Sequence, residues 1–156
     1  MDTTKSKDGL KERRDMEQLN VMLELHSVLQ DNGKYNLPVS CYNLDIEERR
    51  ALLTSVRGVK VLTGFLVNPK KLVSMKDLSF HYCKAHDCHM MLTVYLPIAI
   101  RAIKPEFLKM AITRMCYFFS KLSQKSFRRQ ELSDLHDFMV ETQNQLEICL
   151  PPAFFI

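Results

Sequence analysis

A chain of 156 residues with 46% hydrophobic side chains is long enough to bury a sizeable core as one domain. Four glycines and no tryptophan argue against a turn-rich sandwich or barrel, and a net charge of +4 does not by itself demand a nucleic-acid partner. Nine methionines among many Leu, Lys, Glu and Gln favour helix. The composition therefore predicts an all-α fold, a small bundle of helices forming a single domain over 1–156, with 1–7 disordered.

The opening segment carries no apolar core of the kind a secretory signal needs, and its acids argue against a transit peptide. Cys41, Cys83, Cys88, Cys116 and Cys149 are an odd set, which fits reduced thiols in the nucleus or cytoplasm better than a disulfide framework.

In chain order, residues 8–30 read as a helix, with Met16, Leu19, Met22, Leu23 and Leu29 near helical spacing and Asp31-Asn32-Gly33 ending it. Leu37-Pro38 lies in an extended linker near residues 34–44. A second helix is expected over 46–57, capped by Asp45 with Glu48 at the capping-box position and Gly58 past its end. Residues 59–67 could form a short strand, weakened by Gly64 and the Asn68-Pro69 break.

Asp87 is a candidate N-cap for a helix carrying Met90 to Ile103, kinked at Pro97. That apolar stretch is broken by Thr93, Pro97 and Arg101 and falls short of the roughly 20 residues a bilayer span needs. Pro105 suits the first turn of the next helix, where Phe107, Met110, Ala111, Met115, Phe118, Phe119 and Leu122 share one face. A last helix over 129–148 places Leu132, Leu135, Met139 and Leu146 on a stripe, and Pro151-Pro152 stops it. Strand content is expected to be near nil.

Charge is uneven. Arg101, Lys104, Lys109, Arg114, Lys121, Arg128 and Arg129 could line a phosphate-binding surface, while Glu131, Asp134, Asp137, Glu141 and Glu147 follow without a Lys or Arg among them. The rival reading is a solvated face that pairs internally with the acidic helix, and Tyr117, Phe118 and Phe119 look more like core than a base-stacking platform. His81, Cys83, His86, Cys88 and His89 crowd together just ahead of a helix. Cys83-x-x-His86 and His86-x-x-His89 have spacings that can chelate zinc, so His86, His89, Cys83 and Cys88 are candidate ligands. Helix capping by His86-Asp87 with a small apolar Cys88 accounts for the same residues.

Several stretches together resemble the transposases of plant CACTA-type (En/Spm-like) elements, in the region after the transposase segment. They are Ser6-Lys7-Asp8-Gly9-Leu10, Leu37-Pro38-Val39-Ser40-Cys41-Tyr42-Asn43-Leu44, and Val56-Arg57-Gly58-Val59-Lys60-Val61 with Gly64-Phe65. Leu62 stands where that last segment has a proline. Further matches are Leu72-Val73-Ser74-Met75-Lys76-Asp77-Leu78, His86-Asp87-Cys88-His89, Leu96-Pro97-Ile98-Ala99-Ile100-Arg101 and Pro151-Pro152-Ala153-Phe154-Phe155.

Such transposases cut DNA with three acidic residues that hold two metal ions. The resemblance implies that those acids lie upstream and that the family continues past Phe155 into a His-rich helix. The expectation is a truncated helical fragment with no catalytic residue and no resident cofactor, zinc at the His/Cys cluster being the exception. Helices shaped to pack on a nuclease core would keep uncovered apolar faces, with Met91 and Val94 as the expected interface. The expected function is protein–protein interaction or self-association; the alternatives are a weak sequence-blind DNA binder and, after it, a subunit of an active nuclease. No membrane partner is expected.

Overall fold

The computed structural model describes residues 9–60, 68–81 and 83–155. It is predominantly helical, as composition predicts, with four two-residue strands in two small ladders. The expected strand over 59–67 falls mostly outside the described residues. The chain divides into two compact units, whose described parts are residues 9–43 with 144–155, and 44–60, 68–81 and 83–143. Composition alone offers no such division.

In the first unit, helix α1 (Leu10–Leu19) starts where the Glu12 carboxylate accepts the Gly9 N–H at 3.1 Å. It is far shorter than the expected 8–30. Asn20 takes the left-handed conformation, φ 53°, and returns its N–H to the last carbonyls of the helix. Met22 is also left-handed, φ 49°, and a 3-10 turn, Leu23–Leu25, follows. The segment Asp31-Asn32-Gly33 does not end a helix. It turns a hairpin between β1 (Val28–Leu29) and β2 (Tyr35–Asn36), with Val28 opposite Asn36 and Leu29 opposite Tyr35. Gly33 has φ 74° and donates to the Gln30 carbonyl at 2.9 Å, while the Asn32 side chain accepts the Lys34 N–H at 2.9 Å.

Two polar ties hold α1 to this segment. Arg13, 1% exposed, donates from its guanidinium to the Leu25 carbonyl at 2.9 Å and the Pro38 carbonyl at 3.1 Å. Glu17 accepts both the hydroxyl and the N–H of Ser27, at 2.6 and 2.8 Å, which together hold its carboxyl below the ordinary value. Arg14 stacks over the Tyr35 ring at 5.0 Å. Later in the chain, Leu146 and Cys149 are buried, and Tyr42 meets Phe154 edge-to-face at 5.8 Å.

In the second unit, α2 (Ile46–Gly58) begins as expected. The Asp45 carboxylate accepts the Glu48 N–H at 2.7 Å and Glu48 reciprocates to the Asp45 N–H at 3.1 Å. After a 3-10 turn, Pro69–Lys71, strand β3 (Val73–Ser74) pairs with β4 (Ser79–Phe80) in antiparallel register. A continuous helical run over 85–102 follows. It comprises α3 (Ala85–Met90), a π-turn (Met91–Tyr95), α4 (Leu96–Ala99) and a 3-10 turn, Ile100–Ala102. Pro97 has no N–H to return to an earlier carbonyl, and the widened π-turn lies just before it. The run starts earlier than expected: Lys84 is the N-cap, and Asp87 accepts its N–H at 2.9 Å from inside the first turn.

The core gathers Leu52, Leu53 and Val56 of α2, Leu72 and Val73 beside the ladder, and Met90, Tyr95, Ala99, Ile100 and Ile103 from the long run. Helix α5 (Glu106–Leu122) buries Leu108, Ala111 and Cys116. The expected face is rotated, because Phe107, Met110 and Leu122 are exposed and Met115, Phe118 and Phe119 half-buried. Helix α6 (Arg129–Cys149) stops before Pro151 as expected and buries Leu135, Thr142 and Leu146, whereas Leu132 is exposed. Among the described residues no helix is long and apolar enough to cross a membrane.

Candidate functional site

The basic residues are largely committed to partners within the second unit. Lys104 pairs with Asp45 at 3.1 Å, and its N–H donates to the buried Glu48 carboxylate at 3.1 Å. Lys109 pairs with Glu106 at 2.7 Å. Arg114 donates to Glu141 at 2.8 Å and to the Thr142 hydroxyl at 3.2 Å, with its guanidinium 4.2 Å from the Phe138 ring centre. Lys121 lies over Tyr117 at 5.6 Å. Arg101, Arg128 and Arg129 are exposed. Of the seven candidate phosphate binders, four thus have a charge or ring neighbour, and of these Arg114 alone pairs with the acidic last helix.

In the His/Cys cluster, His86, Cys88 and His89 are exposed on α3, and the half-buried Cys83 donates its thiol to the His81 carbonyl at 3.3 Å. Burial raises the Cys83 thiol, with Cys88 and Asp87 adding to the rise. Among the described residues no three His, Cys, Asp or Glu side chains stand where they could hold one metal ion. Met91 and Val94 do not form the uncovered face expected of them. Both are half-buried and pack against the core, and the outward member of that run is Ile98, 47% exposed.

Large apolar side chains are exposed in both units, and in the first several fall close together in sequence. Leu19, Val21, Leu23, Val28, Leu29 and Val39 are all exposed, Val39 at 82%. Two grooves belong to the same unit. One, of about 320 Å³, is lined by Met16, Leu19, Pro151, Pro152 and Ala153 with Glu12, Asp15 and Gln18. The other, of about 400 Å³, is lined by Val21, Met22, Leu150, Pro152 and Phe155 with Glu147. Helical spacing placed Leu19, Met22, Leu23 and Leu29 in one helix over 8–30, so the turn and hairpin that carry Leu23 and Leu29 were not legible in it. The chain leaves helical geometry at Asn20 and Met22, so Leu23, Val28 and Leu29 lie outside α1, and all three are exposed.

The thiols differ sharply in environment. Burial pushes Cys116 and Cys149 up to about 11, leaving little thiolate near neutrality, while Cys88 is exposed. Brief alkylation at about pH 8 is expected to label Cys88 first and to spare Cys116 and Cys149 until denaturant is added. Peptide mapping by mass spectrometry reads the order, and early labelling of Cys116 would contradict its buried placement.

Comparisons with known proteins add no family: no family model, no curated protein and no solved structure matches the chain.

Proposed function

We propose that this chain is a non-catalytic helical interaction module that binds protein surfaces, copies of itself included. Within that class, the motifs from Ser6 to Phe155 support a more particular reading. It is a module derived from a CACTA-type transposase, adopted by a plant host as a regulator or as part of a selfish or incompatibility system.

The observation that carries the interaction reading is the cluster of exposed aliphatic side chains over residues 19–39, beside two largely apolar grooves. Apolar side chains exposed in this way cost free energy in water, and covering them with a partner recovers that cost. The rival DNA-binding reading draws on Arg101, Arg128 and Arg129, but the pairing of Lys104, Lys109 and Arg114 lowers the positive field those residues would share.

Size-exclusion chromatography with light scattering tests the self-association arm. The wild-type chain is expected to form a dimer or larger assembly at high micromolar concentration. The double variant Leu23→Lys with Leu29→Lys should be monomeric with unchanged helical circular dichroism. Each large apolar side chain contributes roughly 1.5–3 kcal/mol when buried, so losing two weakens association by about 100-fold or more. A monodisperse wild-type monomer at that concentration would sink self-association. Retention on DNA that falls steeply with salt would favour the rival reading.

A further inference from the structure

We propose that the cleft between the end of α5 and the start of α6 binds a lysine-borne ammonium group, best in its methylated form, presented by a protein partner. This rests on the interaction reading above and names the chemistry of one contact within it.

The cleft has a volume of about 310 Å³ and lies wholly within the second unit. Its walls bring together three aromatic rings, Tyr117, Phe127 and Phe138, two carboxylates, Glu131 and Asp134, and one cation, Lys121. Tyr117 and Phe138 meet edge-to-face at 5.2 Å and 64°. Tyr117 is 50% exposed, so solvent and ligands reach it.

The chain's own cations already use these rings. The Lys121 ammonium sits 5.6 Å from the Tyr117 centre, and the Arg114 guanidinium 4.2 Å from the Phe138 centre. Ring quadrupoles attract cations, and a methylated ammonium loses less hydration than a bare one on entering such a site. Electrostatics point the same way. Two carboxylates against one ammonium leave the six residues named above at a net −1. The hydrogen bonds those carboxylates accept come from neutral donors and leave their charge in place: Glu131 from the Arg128 N–H at 3.0 Å, and Asp134 from the Gln130 side-chain amide at 3.0 Å.

Lys121 is then a built-in competitor that an incoming cation must displace. The exposed positions of Gln124, Glu131 and Asp134 leave one side of the cleft open. A free cation would stay half solvated there, whereas one carried on a peptide gains flanking contacts.

Calorimetry and heteronuclear NMR on the full chain supply the test. The probes are a short peptide with a central trimethyllysine, the same peptide with lysine or norleucine, and tetramethylammonium chloride. The trimethyllysine peptide should bind about tenfold more tightly than its norleucine counterpart and shift resonances of residues 117–138. Tyr117→Leu, and Glu131→Gln with Asp134→Asn, should each weaken it about three- to tenfold, while Lys121→Met should tighten it. Glu131→Gln keeps an acceptor for the Arg128 N–H, so the variant remains informative about charge. Equal binding of the norleucine peptide, or no shifts at the cleft, overturns the proposal. Tetramethylammonium binding as tightly as the peptide overturns its peptide-borne source. Repeating the titration on the Leu23→Lys, Leu29→Lys variant separates this contact from self-association, because those residues belong to the other unit.

Discussion

Replacing Arg13 by methionine is expected to lower the stability of the first unit by about 2–6 kcal/mol, the sum for two carbonyls, one buried and one part-buried, each left unsatisfied at about 1–3 kcal/mol. The guanidinium is 1% exposed, and its two terminal nitrogens reach the Leu25 and Pro38 carbonyls, 12 and 25 residues away in sequence. Methionine fills much of the same space but offers no donor, so both carbonyls would face an apolar side chain. Lysine is expected to recover part of the loss. Its ammonium is a compact point donor on a flexible stem and does not reproduce the planar fork that spans two acceptors. Urea denaturation gives the magnitude, and hydrogen exchange over residues 10–38 localises it. A methionine variant as stable as the wild type would show that the guanidinium ties are not what holds α1 to the hairpin segment.

Adjacent residues in α4 should respond oppositely to the same change. Ala99 is fully buried in the core of the second unit, whereas Ile98 is 47% exposed. Ala99→Asp places a carboxylate among Leu53, Val56 and Ile100, where an unpaired ion costs several kcal/mol and overpacking adds roughly 1–3 kcal/mol. That total rivals a typical stability of about 5–15 kcal/mol, so the variant is expected to be unfolded or molten at 25 °C. Ile98→Asp should lose no more than about 1 kcal/mol and keep the wild-type spectrum. Circular dichroism and amide NMR dispersion distinguish the two. A well-folded Ala99→Asp chain would mean that α4 does not pack as described. By the same reasoning, charge at the half-buried Met91 or Val94 should weaken the core rather than release an assembly.

Features settled within a few residues of chain were legible in the sequence. The reciprocal Asp45–Glu48 cap starts α2, and Pro151 closes the space beyond α6, because each acts through neighbouring backbone groups. The length of α1 was not legible. Nothing near Leu19 except Asn20 favours a left-handed residue, and Met22 adopts φ 49° without a local preference for it. Periodicity therefore ran through the break, and with it went the placement of Leu23 and Leu29 in one helix with Met16 and Leu19. The candidate site suffered in the same way. A run of basic residues reads as one surface until Lys104 is seen to pair with Asp45, 59 residues earlier, and Arg114 with Glu141, 27 residues later.

By itself the sequence determined a helical chain, the cap of one helix and the end of another, since propensity and capping are summed over short windows. Tertiary structure decided which side of each helix faces inward. The buried side of α5 shifts to Leu108 and Cys116, and Met91 and Val94 turn toward the core. It also decided that Arg13 is buried and that the aliphatic side chains of residues 19–39 are exposed. A helix with apolar side chains on several faces can bury any of them, and the choice belongs to the neighbours, which come from distant parts of the chain.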